Sequence, residues 1–178
     1  MQFGLFYEWP NPTLRNWKLL FEEGVQQIQY SEALGFDYCL IAEHHFTNYG
    51  NSPAPLMQAL YIGQRTRRIR IGTAAVILPV WQPLRLAEEI AVLDNLIDGR
   101  FMCGVGRGYQ AYEMGGFGGN IAESRQKFLE TLEVLLIDAP TDAQEIDDLV
   151  ACLSGYVLSR NRRVFRRIRT WRGRSSYC

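Results

Sequence analysis

Apolar runs at residues 2–7, 36–42, 69–77 and 101–105 are each followed by a helical pattern, and their starts lie 34, 33 and 32 residues apart. That interval is the length of a strand, a crossover helix and a return to a parallel neighbour. After the first run, Leu14, Trp17, Phe21, Val25 and Ile28 keep helical spacing from a predicted N-cap at Thr13 to a stop at Gly35. Leu56, Leu60 and Ile62 mark the second helix. Pro83 opens the third, with Leu86, Ile90, Leu93 and Ile97 inside and Gly99 at its end, and Ile121, Phe128, Leu132 and Leu135 mark the fourth. Runs this continuously apolar suit a sheet covered on both faces. An α/β fold follows, and two architectures fit it: a doubly wound open sheet, or the first four βα units of a (β/α)8 TIM barrel. Either one binds its ligand beyond the carboxyl ends of the strands.

Composition narrows the class. The 178 residues are 47% apolar, with 19 basic and 19 acidic side chains, which excludes general disorder and allows a sizeable core. Apolar runs fall short of the roughly 20 residues that cross a bilayer, and residues 1–4 lack a signal-peptide pattern. A cytoplasmic location without membrane partners is expected. Cys39, Cys103, Cys152 and Cys178 form no CxxC pair and have no nearby histidine, so they read as reduced thiols rather than metal ligands.

Three strand ends carry chemistry. Glu43, His44, His45 and Phe46 follow the second run and include both histidines of the chain. Alternation puts His44 on one face and Glu43 with His45 on the other, so one imidazole can meet a ligand while its neighbour anchors the loop. Imidazole suits proton transfer near neutral pH, although a pair of structural histidines fits the pattern equally. Gly72, Thr73, Ala74 and Ala75 end the third run with small side chains, which leave room for a flat ring or for tight helix packing. Gly104, Val105, Gly106, Arg107, Gly108 and Tyr109 form a glycine-rich turn with a guanidinium, suited to a phosphate, and Arg125 adds a second positive charge. Tyr109 stands where a dinucleotide fingerprint needs its third glycine. Gly115, Gly116, Gly118 and Gly119 are expected in a flexible loop.

Taken in order, Leu34-Gly35-Phe36-Asp37, Ala42-Glu43-His44-His45-Phe46-Thr47, Ile71-Gly72-Thr73-Ala74-Ala75, Leu93-Asp94 with Asp98-Gly99-Arg100-Phe101, and Gly104-Val105-Gly106-Arg107-Gly108 resemble the luciferase-like flavin monooxygenases. The resemblance covers residues 1–136. It implies a (β/α)8 barrel that uses reduced FMN, supplied by a separate flavin reductase, and O2 to oxygenate a small organic substrate. It also implies that His44 is the catalytic imidazole, that Ala74 and Ala75 lie against the flavin ring, and that Arg107 and Arg125 hold its phosphate. Gly106 stands where the light-emitting enzyme has a reactive cysteine, which argues against identity with that enzyme. The Glu-His-His-Phe-Thr segment looks more like the FMN branch than the branch using the deazaflavin F420, which remains the alternative oxidoreductase.

Residues 137–178 break the pattern. Residues 1–136 carry 11 basic and 14 acidic groups, whereas residues 137–178 carry 8 and 5, every basic one an arginine. Thr141 to Gln144 reads as a capping box before Ile146, Leu149, Val150, Leu153 and Val157, a helical spacing. Val164, Phe165, Ile168 and Trp171 continue it among arginines, in a helical or disordered tail. Such a basic face could meet nucleic acid or an anionic surface. Because the resemblance stops and lysine vanishes, we expect instead an out-of-frame tail on a truncated monooxygenase, with no nucleic-acid partner. A half-barrel of this kind is expected to bind FMN weakly or not at all and to self-associate or aggregate through its open edges. A non-catalytic, dimerising flavin-binding half-barrel is therefore the alternative function.

Overall fold

A computed structural model of the chain describes residues 1–137, 151–152 and 155–158. Four parallel strands form the sheet's spine: β1 (Gly4–Tyr7), β2 (Tyr38–Ile41), β3 (Arg70–Thr73) and β5 (Phe101–Gly106), with the short β4 (Val76–Ile77) continuing β3. Between them run α1 (Trp17–Ala33), α2 (Pro55–Gly63) and α3 (Pro83–Leu96), and α4 (Ala111–Gly116) and α5 (Ser124–Ile137) follow β5. The strands lie in the order in which the chain makes them, β1-β2-β3-β5. A doubly wound sheet reverses its strand order at a switch point, whereas a barrel adds each strand beside the last. The described units therefore follow the barrel path.

Register separates the two faces. Leu5, Cys39, Ile71 and Phe101 align across the strands. They pack in one apolar cluster with Val25 and Ile28 of α1, Leu56, Ala59 and Ile62 of α2, Leu86 and Leu93 of α3, and Phe128 and Leu135 of α5. Each fully buried Ile here contributes about 1.5–3 kcal/mol by leaving water. The alternate row, Phe6, Leu40, Gly72 and Met102, lies on the opposite face, where Phe6 remains 54% exposed. Gly72 is required in that row, because a Cβ would come within 2.7 Å of Leu40 Cδ2 and 3.1 Å of the Met102 carbonyl oxygen.

The β3–β4 strand carries one extra residue against β5: Gly72 pairs with Met102, but Val76 pairs with Val105. This bulge holds the Ala74–Ala75 peptide, which is cis. Thr73 fills the interrupted ladder with its side chain. Its hydroxyl donates to the Gly104 carbonyl (2.8 Å) and accepts from the Gly104 N–H (3.0 Å).

Three local expectations change. Helix α1 begins at Trp17 rather than after Thr13, because Asn16 is the cap, its side chain accepting the Leu19 N–H at 3.2 Å. The glycine-rich stretch is not a simple loop: α4 forms there, pinned by the burial of Glu113 and Met114. At Val157 the expected helical spacing gives way to strand, in β6 (Ala151–Cys152) and β7 (Gly155–Leu158), a pair of antiparallel strands of which β7 lies against β5, while Ile146, Leu149, Val150 and Leu153 lie outside the described residues. A parallel strand with an open edge presents unpaired backbone groups, and pairing them outweighs a weak helical pattern interrupted by Gly155. The arginine-rich segment from Arg160 to Arg174 lies outside the described residues. Among the described residues, no helix is long and apolar enough to cross a membrane.

Candidate active site

The ends of β1, β2 and β5 bring Glu8, the Glu43–Phe46 segment and the Arg107–Glu113 segment to one rim. His44 is 7% exposed, and its Nδ1 lies 3.0 Å from Oε1 of Glu113, itself 1% exposed. The same Glu113 oxygen accepts the His45 N–H at 3.0 Å. An ionised carboxylate only accepts, so beside it Nδ1 carries a proton, and Nε2 is the nitrogen that Glu113 does not engage. Nε2 faces Glu8, with Oε1 3.7 Å away. Gly50 lets the ring approach closely, since a Cβ there would meet His44 Cδ2 at 2.7 Å. Tyr49 and Tyr109 stand edge-on to the imidazole, at centroid distances of 5.6 and 6.5 Å.

On the other face His45 serves structure. Its Nε2 bonds Glu43 Oε1 at 2.8 Å, and that carboxylate also accepts from Trp81 Nε1 (2.9 Å) and from the Ile77 N–H (2.6 Å). Glu43 thus ties the end of β2 to β4 and to the turn before α3. Phe117 packs edge-on against the His45 ring at 4.7 Å, and Phe46 packs against Phe117 at 5.3 Å.

The remaining candidates fall at two nearby places. Ala74 and Ala75 are half-buried at the bulge. Arg107 is exposed after β5, with Nη1 3.4 Å from the hydroxyl of Ser124, the first residue of α5, and exposed Arg125 is the next residue. Arg107 thus reaches the positive end of that helix dipole, and Arg125 belongs to the helix's first turn. Among the described residues, neither forms an ion pair with a carboxylate. This donor set suits a dianionic phosphate.

Sequence reasoning did not single out Glu8, Tyr49 or Glu113. Glu113 lies 69 residues from His44 within a glycine-rich stretch. The one available signal was an acidic side chain among otherwise apolar and small residues.

A barrel-type α/β sheet thus brings a carboxylate-held imidazole and a two-arginine helix terminus to one end. The chain belongs to the luciferase-like monooxygenase family, whose profile matches residues 1–137. It is 30% identical over 114 residues to the oxygenase component of the flavin-dependent trigonelline monooxygenase of Acinetobacter baylyi, an alignment covering 64% of this chain and 32% of that protein. The crystal structure of monooxygenase RslO1 from Streptomyces bottropensis is 34% identical with a TM-score of 0.74, and the match covers 80% of this chain and 44% of that one. The same fold occurs in the FMN-bound oxygenating constituent of 3,6-diketocamphane monooxygenase from Pseudomonas putida, at 24% identity and a TM-score of 0.72, over 76% of this chain and 38% of that one. The chain spans about a third of the length of the curated relatives it matches.

Proposed function

We propose that residues 1–136 form the flavin-facing part of an FMN-dependent monooxygenase that oxygenates a small organic substrate, with reduced FMN delivered by a separate flavin reductase and O2 as co-substrate. The observation that carries this reading is the His44–Glu113 pair at the strand ends of a chain in this family. The relatives support it, since one is described as the oxygenase component of a flavin-dependent monooxygenase.

When bound, FMN supplies the electron transfer to O2. The chain's own residues then have separable tasks. His44 presents Nε2 to the rim and takes or gives a proton there, while Glu113 keeps the ring in one tautomer and orientation. Ala74 and Ala75 offer a low, half-buried surface for a flat ring. Arg107 and Arg125, with the first turn of α5, hold the phosphate. The rings of Tyr49 and Tyr109 limit access of water to His44.

The described units supply four of the roughly eight that close a barrel, so the flavin wall they provide is partial. Weak FMN binding is expected, at least about tenfold tighter than riboflavin, which lacks the phosphate. The Arg107→Ala/Arg125→Ala double variant should abolish that preference. Equal affinity of the unmodified chain for the two flavins would overturn the phosphate assignment. Loss of turnover with retained flavin binding in His44→Ala tests the catalytic role.

A second reading, flavin binding without turnover in a self-associating chain, is favoured by the position of β1 at the sheet edge, with no strand on its outer side among the described residues. It predicts no reductase-coupled oxygen uptake and a sedimentation mass above 20.5 kDa.

A further inference from the structure

The rim around His44 also bears on what the enzyme accepts. Glu8 follows β1, is partly buried, and turns its carboxylate toward the one nitrogen of His44 that Glu113 leaves free, at 3.7 Å. The nearby Glu8 carboxylate charge raises the Tyr49 phenol above its ordinary value. The phenol therefore stays protonated beside Glu8. With the proton of His44 on Nδ1, its Nε2 lone pair and the Glu8 carboxylate form two adjacent acceptors at an accessible edge. An amino group about 2.8 Å from each atom closes an acute triangle on the 3.7 Å base with a proton for each, whereas a hydroxyl gives its single proton to one of the two, so neither side chain has to move. Tyr49 and Tyr109, 55% and 62% exposed, present ring surface beside the same edge.

We infer that Glu8 and His44 together form a recognition site for the hydrogen-bond-donating group of an uncharged aromatic substrate of phenol or aniline type, with its ring against Tyr49 and Tyr109. The inference rests on the monooxygenase reading, in which His44 faces the reacting substrate. The chemistry follows from the charge. An uncharged donor gives a proton to Glu8 or to Nε2, whereas a carboxylate or sulfonate brought beside Glu8 meets a like charge and has no proton to share. A bare hydrocarbon donates to neither acceptor.

Three matched probes test this on the full chain: 1-naphthol, naphthalene and 1-naphthoate, titrated by fluorescence or calorimetry. The expected order has 1-naphthol binding about tenfold or more tighter than either of the others. Glu8→Gln, which keeps the shape and removes the charge, should raise 1-naphthoate affinity and shrink the gap to threefold or less. Tyr49→Phe should weaken 1-naphthol binding without admitting 1-naphthoate. Naphthoate binding as well as naphthol, a preference unchanged in Glu8→Gln, or no binding of any probe would overturn the inference. The flavin titrations above compare FMN with riboflavin and use none of these three probes, so failure of the cofactor assignment and failure of this substrate class are read separately.

Discussion

One carboxylate oxygen of Glu113 meets both the ring of His44 and the backbone N–H of His45, each at 3.0 Å. Orientation of the imidazole and closure of the β2 loop therefore depend on the same atom. Glu113→Leu should leave the His45 N–H without its partner and cost about 1–3 kcal/mol of stability. It should also release the His44 tautomer. Nitrogen-15 NMR of the ring checks this, expecting Nδ1–H in the unmodified chain and a rise in Nε2–H in the variant.

Glu43 holds three donors at once, from His45, Trp81 and Ile77. In Glu43→Ala all three would lose their acceptor in an enclosed space. The expected loss is about 3 kcal/mol or more, seen as a lower urea midpoint with an unchanged slope. Glu43→Gln should recover part of it, because an amide oxygen serves only some of these donors.

Burial pushes the Cys39 and Cys103 thiols from an ordinary 9.0 up to about 12. A folded value above the unfolded one favours the folded state fully below pH 9, and that advantage is lost as pH rises toward 12. Stability should therefore fall across that alkaline window. Both thiols should also resist a thiol-reactive probe in the native state and react on unfolding. A Cys39→Ser/Cys103→Ser variant should show a shallower alkaline decline, although its starting stability will be lower.

Gly108 has φ +75°, and a Cβ there would stand 2.7 Å from both Ile77 Cγ2 and Met114 Cε. Gly108→Ala should destabilise by about 1–3 kcal/mol, through the left-handed backbone and the crowding together. Thermal unfolding measures the loss. Gly99, with φ +72° and open space around its Cβ position, is the control, expected to lose less when replaced by Ala.

The repeating unit was legible because parallel strands covered on both faces carry unbroken apolar runs, and Gly35 and Gly99 mark helix ends at positive φ. The extra residue between Gly72 and Val76 was not, since a bulge changes pairing without changing hydrophobicity. At the site, adjacency on the chain made Glu43, His44 and His45 visible. Glu8 and Glu113 reach His44 only because three parallel strands end at one level, a relation that no local pattern carries. At Gly155–Leu158, the open edge of β5 decided between a helical spacing and the strand propensity of Tyr156 and Val157.

The sheet's agreement between chain order and spatial order has a kinetic side. Each parallel strand docks on the one made just before it, so every new pairing closes a loop of nearly the same length, about 30 residues by the registers Gly4 with Tyr38, Tyr38 with Arg70 and Ile71 with Phe101. No pairing among these strands has to wait for a distant segment. The entropic cost of assembly is thus spread in similar steps along the chain, and the sheet can grow outward from any adjacent pair.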